Sequence, residues 1–128
     1  MFCCAFTDEV MDHFMSPRNV GSMTDADGIG KCGESGCGDS LTIYIKVKED
    51  VITDISFLVF GCVAAIATSS MTTELAKGKT LTEASKITEN DIVDALGGLP
   101  EHKLHCSVLG ATALKNAIKD YCSKHQFK

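Results

Sequence analysis

The most informative pattern in this chain is a pair of alternating segments joined by two acidic residues. Across residues 41–48, apolar side chains alternate strictly with polar ones, as in a β-strand with one buried face and one wet face. Glu49-Asp50 predicts a tight connection, after which Val51–Phe60 predicts a second, antiparallel strand. Together these segments predict a β-hairpin with its apolar side turned to a core.

The second strand of this hairpin divides its apolar residues between two faces. Ile55, Phe57 and Val59 share the inward face, whereas Leu58 and Phe60 point the other way. Because both outward residues are apolar, we expect that face to be partly covered near the end of the strand.

Helices flank the hairpin, and most carry recognisable caps. A short irregular strand is expected near residues 29–33, ahead of the hairpin. The first predicted helix runs from Asp8 to about Met15 behind Thr7, and the second from Val63 to Lys77 with Gly78 as the stop. Thr80 is expected to cap a third helix with Glu83 in the capping-box position, and Thr88 a fourth from Glu89 to about Leu96. The last helix is expected from His105-Cys106-Ser107 to about Ser123, with an apolar stripe at Val108, Ala111, Leu114, Ile118 and Tyr121. This order predicts an α+β fold, a small antiparallel sheet of about three strands with helices packed on one face. We expect a single domain over residues 1–128, with residues 1–5 flexible.

Composition limits the classes of partner. The net charge is −5, so no basic surplus is available for phosphates, and nucleic acid is not expected to bind. No segment approaches the roughly 20 apolar residues that a membrane span needs. The first residues lack the basic segment of a secretory signal, so we expect a cytoplasmic location.

Cysteine is abundant, with seven residues among 128. A secreted disulfide framework normally uses an even number of cysteines in a shorter, loop-rich chain. An odd surplus without a secretory signal favours metal or sulfur chemistry over disulfides.

Three cysteines occupy settings that suit a reactive or metal-binding thiolate. Cys37 lies between two glycines in a glycine-rich loop, Cys62 follows Gly61 at a strand-to-helix junction, and Cys106 opens the last helix. The positive end of a helix dipole stabilises a nearby anion such as a thiolate. The alternatives are a glycine-rich turn with an incidental cysteine at Cys37 and a small buried hydrophobe at Cys62. Cys122 is expected at the core edge of the last helix, in a structural role.

Oxygen and nitrogen donors accompany two of these cysteines. Asp39 follows Cys37, and His105 precedes Cys106. Three thiolates with one labile fourth ligand suit iron or zinc. An iron–sulfur cluster held for electron transfer usually has four cysteines, so a carboxylate or imidazole at one corner favours release over retention. His13, near the end of the first helix, is expected to be solvated or to cap that helix.

These motifs together resemble the IscU/NifU N-terminal-domain family, whose members are scaffolds for the assembly of iron–sulfur clusters. The resemblance covers about residues 6–121. The residues that carry it are Asp12-His13, Pro17-Arg18-Asn19-Val20-Gly21, Gly36-Cys37-Gly38-Asp39, Gly61-Cys62, Ala65-Ile66-Ala67, Ser69-Ser70, Lys77-Gly78-Lys79 and His105-Cys106-Ser107.

The resemblance implies a ligand set and a reaction partner. Cys37, Cys62 and Cys106 would hold the cluster, at least one of them accepting sulfur as a persulfide. Asp39 would be tied to cluster lability, and His105 would be an alternative ligand. A pyridoxal-phosphate cysteine desulfurase would supply the sulfur, an iron donor the metal, and client apoproteins would receive the cluster. The cluster would be [2Fe–2S], or [4Fe–4S] in a homodimer, and zinc could occupy the same ligands.

The chain also departs from the family pattern. Leu99-Pro100-Glu101-His102-Lys103 differs at two of five positions from the family's Leu-Pro-Pro-Val-Lys segment, which leaves binding of a specialised chaperone ATPase open. Phe6 replaces a frequent tyrosine. Cys3, Cys4 and Cys32 are additional, and Cys32 could be a spare ligand, a resolving thiol or neither.

Two other functions remain as alternatives. Cys106 beside His105 has the parts of a thiol nucleophile, but no third orienting group is identifiable, so we expect a carrier without turnover of its own. A structural or regulatory zinc protein could use the same cysteine, aspartate and histidine ligands.

Overall fold

The computed structural model describes residues 7–34, 39–99 and 105–125. Its elements, in chain order, are α1 (Asp8–Met15), β1 (Gly28–Glu34), β2 (Asp39–Lys48), β3 (Val51–Phe60), α2 (Val63–Ala76), α3 (Leu81–Ser85), α4 (Glu89–Ala95) and α5 (His105–His125). The strands form one antiparallel sheet in the order β1-β2-β3. The predicted α+β class and three-stranded sheet are confirmed. The expectation of one domain over the whole chain stays a prediction, and residues 1–5 lie outside the described part.

The connection between β2 and β3 is as tight as the sequence predicts. Lys48 pairs with Val51, so the turn consists of Glu49 and Asp50 alone. Both have positive φ, 53° and 64°, as a two-residue type I′ hairpin requires. The turn alone does not set the register of the two strands, because their pairing shifts by one residue between Lys46 and Val47. That shift allows the apolar residues of both strands to share one face.

That face of the sheet carries the core. Its fully buried side chains are Leu41, Ile43, Ile45, Ile52, Ile55 and Phe57. Residues of α2 and α5, among them Ala67 and Leu114, belong to the same buried cluster. The helices therefore lie on one face of the sheet, as predicted.

The opposite face is open near the end of β3. Leu58 is 43% exposed and Phe60 is 76% exposed. The expected partial cover there is wrong for the described part of the chain, because both side chains are exposed. Apolar outward residues alone were a poor indicator of a second layer.

Strand β1 lies unusually close to α5. A Cβ atom on Gly30 would overlap the carbonyl oxygen of Ala113 and the amide nitrogen of Ala117. Hydrogen bonds join the two elements further, from Ile29 N to Asp120 Oδ2 at 2.9 Å and from Asn116 Nδ2 to the Lys31 oxygen at 2.9 Å. Glycine in this strand is therefore a packing requirement.

Helix α2 is buried through small residues on most of its surface. Its fully buried residues include Ala64, Ala65, Ala67, Thr68, Ser69, Ser70, Thr72, Thr73 and Ala76. Several of the hydroxyls donate to carbonyls one turn back, for example Thr72 Oγ1 to the Thr68 oxygen at 2.6 Å. The predicted span is confirmed to within a residue, but hydroxyl residues fill much of the buried surface.

Capping predictions held for the shorter helices. The hydroxyls of Thr7, Thr80 and Thr88 accept hydrogen bonds from backbone amides in the first turns of α1, α3 and α4. Glu83 completes the predicted capping box of α3. None of the described helices is long and apolar enough to cross a membrane.

Two side chains of α5 and one of α1 lie elsewhere than predicted. Val108 is 44% exposed and Cys122 is exposed, so neither has its expected place at the core. Leu109 is buried in place of Val108, so the buried side of α5 is displaced by one residue near the start of the helix. His13 is 8% exposed and lies between α1 and α2, so the expected solvated histidine is wrong.

Candidate functional site

Three strand ends meet at one end of the sheet. Glu34, the last residue of β1, pairs with Asp39, the first residue of β2. Ser40 pairs with Phe60, where β3 ends. We call this the site end of the sheet, defined by Glu34, Asp39 and Phe60. Cys37 itself lies outside the described residues, but the strands on both sides of it terminate here.

Cys62 lies at the site end as the N-cap residue of α2. Its backbone is extended (φ −84°, ψ −178°), and its carbonyl oxygen accepts from Ile66 N at 3.0 Å. The side chain is half-buried and packs with Val59 against Ala64 and Ala65. The predicted strand-to-helix junction is confirmed, and it places the thiol beside the first turn of α2.

The start of α5 reaches the same end. Ile29 contacts Asp120 and Lys31 contacts Asn116, so α5 runs antiparallel to β1. Glu34 lies about 10 Å along the strand beyond Lys31, at 3.3 Å per residue. Cys106 lies about 15 Å along the helix before Asn116, at 1.5 Å per residue. The first turn of α5 therefore extends slightly past the end of β1.

Two helix N-termini thus face one region. Helix α2 begins three residues after β3 ends, and α5 begins beyond the end of β1. The first backbone amides of a helix have no acceptor within the helix itself, and the positive end of the helix dipole lies at the same place. The region therefore suits anionic groups, such as thiolates or a cluster that they ligate.

The predicted ligands are described to different extents. Asp39, His105 and Cys106 have described backbones at the site end, whereas their side chains and all of Cys37 lie outside the description. Within the described residues, no three His, Cys, Asp or Glu side chains are grouped as a metal site. The ligand set therefore stays a prediction, with Cys62 as its one described side chain.

Sequence reasoning did not anticipate the contribution of Leu99. Leu99 packs against the Ala64–Ala65 pair that also receives Cys62. The leucine stands after two glycines with positive φ, Gly97 at 79° and Gly98 at 112°. The sequence signal that could have identified this contact is an apolar residue directly after two glycines that end a helix.

The fold and the arrangement of the site define a small α+β domain with cysteine-bearing segments gathered at one end of its sheet. A family model described as "NifU-like N terminal domain" matches residues 5–128. The chain therefore belongs to the NifU-like N-terminal domain family, and the resemblance stated from the motifs is confirmed.

Relatives and a solved structure agree with this assignment. The chain is 60% identical over 120 residues to iron–sulfur cluster assembly scaffold protein IscU 1 of Archaeoglobus fulgidus, covering 94% of this chain and 78% of that protein. It is 50% identical over 121 residues to the IscU scaffold protein of Aquifex aeolicus, covering 93% and 77%. A crystal structure from Fervidobacterium islandicum, described as a candidate cluster assembly scaffold for the SUF system, matches with TM-score 0.74 and 23% identity, covering 90% and 97%. That last likeness concerns the fold alone.

Proposed function

We propose that this chain is a scaffold on which a transient iron–sulfur cluster is assembled and from which the cluster passes to client apoproteins. The observation that carries the proposal is that the facing ends of β1 and β2, Cys62 and the start of α5 lie together at the site end. Two of these segments carry the predicted ligands Cys62 and Cys106, and the two strand ends flank the third, Cys37, in the sequence. Membership of a family whose relatives are named as such scaffolds supports it independently.

Cys37, Cys62 and Cys106 hold the cluster in this proposal. The three cysteines lie too far apart in the sequence to form one local motif, so they can share a cluster only when the folded chain brings them to the site end. The two helix N-termini there stabilise thiolates and partly balance the negative charge of a thiolate-ligated cluster.

Sulfur enters by thiol exchange. A thiolate of this chain attacks the outer sulfur of a persulfide on a cysteine desulfurase, a new S–S bond forms, and the desulfurase cysteine leaves as its thiolate. The step needs no outside oxidant, because the oxidised sulfur only changes carriers. This chain accepts and passes on sulfur without a catalytic turnover of its own.

Asp39 and His105 supply the exchangeable corner. A carboxylate or imidazole is a weaker partner for cluster iron than a thiolate, so this corner favours release. We propose a [2Fe–2S] cluster, with [4Fe–4S] in a homodimer as the alternative, and zinc as a competitor for the same ligands. An iron donor and client apoproteins complete the partners, and binding of a chaperone at Leu99-Pro100-Glu101-His102-Lys103 stays open. The cytoplasmic location stays a prediction.

Anaerobic reconstitution tests the function. Apo-protein is incubated with ferrous iron, cysteine, a desulfurase and a thiol reductant, and cluster formation is followed by visible absorption with iron and sulfide analysis. We expect a labile cluster on the unaltered chain. Replacing Cys37, Cys62 or Cys106 by serine should each abolish it.

Cys122→Ser is the matched control, because Cys122 is exposed near the far end of α5. It should assemble the cluster as well as the unaltered chain does. Full assembly in a Cys37/Cys62/Cys106 triple-alanine variant would contradict the proposal. A site that retained zinc throughout and refused iron would support the zinc-protein alternative instead.

A further inference from the structure

The hydroxyl of Thr7 makes two connections. It accepts a hydrogen bond from Val10 N at 3.1 Å, which caps α1, and it donates one to the carbonyl oxygen of Leu96. The second bond joins residues that are 89 positions apart in sequence. Thr7 therefore ties the start of α1 to the end of α4.

The carbonyl that Thr7 holds belongs to an ordered turn. Leu96 is fully buried, and the amides of Gly97 and Gly98 donate to the Asp94 and Val93 carbonyls at 3.0 and 2.9 Å. A Cβ atom on Gly97 would lie 3.3 Å from Thr7 Cγ2, so the start of α1 rests directly on this turn.

The turn delivers Leu99 to the start of α2. Leu99 follows Gly98 directly and packs against Ala64 and Ala65. Cys62 packs against the same two alanines from the helix N-terminus. A continuous set of contacts therefore runs from Thr7 through Leu96 and the double-glycine turn to the surroundings of the Cys62 thiol.

We infer that Thr7 is a positioning residue for Cys62: its bond to the Leu96 carbonyl keeps Leu99 packed on the Ala64–Ala65 pair, against which Cys62 also packs at the start of α2. The functional meaning rests on the proposed function, in which Cys62 takes part in sulfur uptake and holds the cluster. When the bond is lost, the 97–99 turn opens more often, Leu99 leaves the alanine pair, and reagents reach Cys62 faster.

Substitution at Thr7 can separate this tie from helix capping. The carboxylate of Thr7→Asp still accepts from Val10 N and suits a helix N-terminus, but it cannot donate to the Leu96 carbonyl. Thr7→Ser keeps both bonds. Thr88→Asp is the matched control, since the Thr88 hydroxyl caps α4 by accepting from Asp91 N at 3.2 Å, with acidic neighbours of its own.

The measurement is iodoacetamide labelling of the full-length apo-protein, followed by peptide mass spectrometry. Loss of one hydrogen bond shifts a local opening equilibrium by about five- to tenfold, so Cys62 in Thr7→Asp should label about five to ten times faster. Half-buried Cys32 on β1 reports global opening, and exposed Cys122 reports reagent activity. Neither rate should change, and Thr7→Ser and Thr88→Asp should match the unaltered chain.

Leu99→Ala provides a second test that does not depend on how well Thr7→Asp folds. It should speed labelling of Cys62 directly, and adding Thr7→Asp to it should give no further increase, because both changes act through one contact. Equal acceleration of Cys62 and Cys32, or additive effects in the double variant, would overturn the inference.

Cluster lifetime gives the functional readout. We expect faster cluster loss in Thr7→Asp than in Thr7→Ser or Thr88→Asp, with an unchanged lifetime counting against the role in positioning. If the unaltered chain assembles no cluster, the proposed function fails while the labelling result still decides the structural tie.

Discussion

His13 Nδ1 and Ser70 Oγ lie 2.7 Å apart, in a buried contact that joins α1 to α2. The Ser70 oxygen also accepts from the backbone amide of Arg18 at 2.9 Å. A hydroxyl has one proton and two lone pairs, so Ser70 can accept from Arg18 N and still donate its proton to His13 Nδ1. The arrangement therefore favours neutral His13 with its proton on Nε2.

This contact predicts a stability that depends on pH. Burial, and then the nearby Arg18 charge, lower the pKa of His13, while Asp12 and Glu74 act in the opposite direction. Because the folded-state pKa lies below the unfolded value, the unfolded chain takes up the proton first. The contribution of His13 is present above its usual value of about 6.5 and is lost as the pH falls through the folded pKa.

His13→Asn tests the effect, because the amide oxygen of asparagine accepts a hydrogen bond but does not titrate. Between about pH 7.5 and 5.5 the unaltered chain should lose more thermal stability than His13→Asn, measured as the change in Tm. The other histidines are common to both proteins and cancel in the comparison. Parallel Tm curves would contradict the prediction, because they would show that the pKa of His13 is the same in the folded and unfolded chains.

Gly30→Ala should severely destabilise the fold. The added methyl group would overlap backbone atoms of Ala113 and Ala117, which cannot rotate away, so β1 and α5 must separate. Overpacking of this kind costs about 3 kcal/mol or more of the free energy of unfolding, measured by urea denaturation. If the variant cannot be purified in a folded state, it can be purified in urea and diluted into buffer, where the absence of a helical circular dichroism signal would show the same destabilisation.

Gly98→Ala is the informative contrast. Nothing lies within 4 Å of a Cβ at Gly98, and its φ of 112° is the only obstacle. We expect a cost of about 1–2 kcal/mol from backbone strain alone. A Gly30→Ala variant no less stable than Gly98→Ala would contradict the close approach of β1 and α5.

Asp120 should stabilise the outer edge of β1 mainly through a backbone bond. Its carboxylate accepts from Ile29 N, which is the largest cause of its lowered pKa, and Lys124 lies 3.1 Å away. Asp120→Ala should cost about 1 kcal/mol, because it leaves an edge-strand amide without that acceptor. Lys124→Ala removes only a partly exposed ion pair and should cost less than about 0.5 kcal/mol.

Asp120 should make stability depend on pH in the same direction as His13 does, because folding lowers the pKa of both groups. Its folded pKa lies below the unfolded value, so its contribution is present above about pH 4 and is lost as the pH falls through the folded pKa. Asp120→Asn, whose amide oxygen can still accept from Ile29 N, should flatten that acid limb of the stability curve. An unchanged acid limb would mean that other carboxylates dominate it.

Much of the fold could be predicted because local signals agreed with each other. The 41–48 alternation and the Glu49-Asp50 connection determine β2 and β3, and the capping threonines mark where short helices begin. The position of Cys62 between a strand and a helix could be predicted in the same way, because the alternating pattern of β3 ends just before it and the helical pattern of α2 begins just after it.

Tertiary packing explains the failures. His13 is buried because α2 offers Ser70 as a partner from 57 residues away, which no local pattern contains. Val108 and Cys122 are exposed near the two ends of α5, whereas Leu114 between them is fully buried, so the length of the buried stripe depends on packing that no local pattern contains. The Thr7–Leu96 bond could not be predicted for the same reason. In the candidate site, sequence identified the segments, and only the strand register showed that they share one end of the sheet.

Asp39 provides the last test, because it bears on release of the cluster. Its backbone begins β2 at the site end, two residues after Cys37. A carboxylate there attracts water and offers iron a hard oxygen donor in competition with the thiolates. Asp39→Ala should therefore assemble a cluster that is lost more slowly than on the unaltered chain, followed by the decay of visible absorption. Asp94→Ala is the control, because it removes the same charge from an exposed position on α4, and it should leave the decay unchanged. Equal or faster loss in Asp39→Ala would mean that the carboxylate helps to hold the cluster, and that the exchangeable corner belongs to His105 instead.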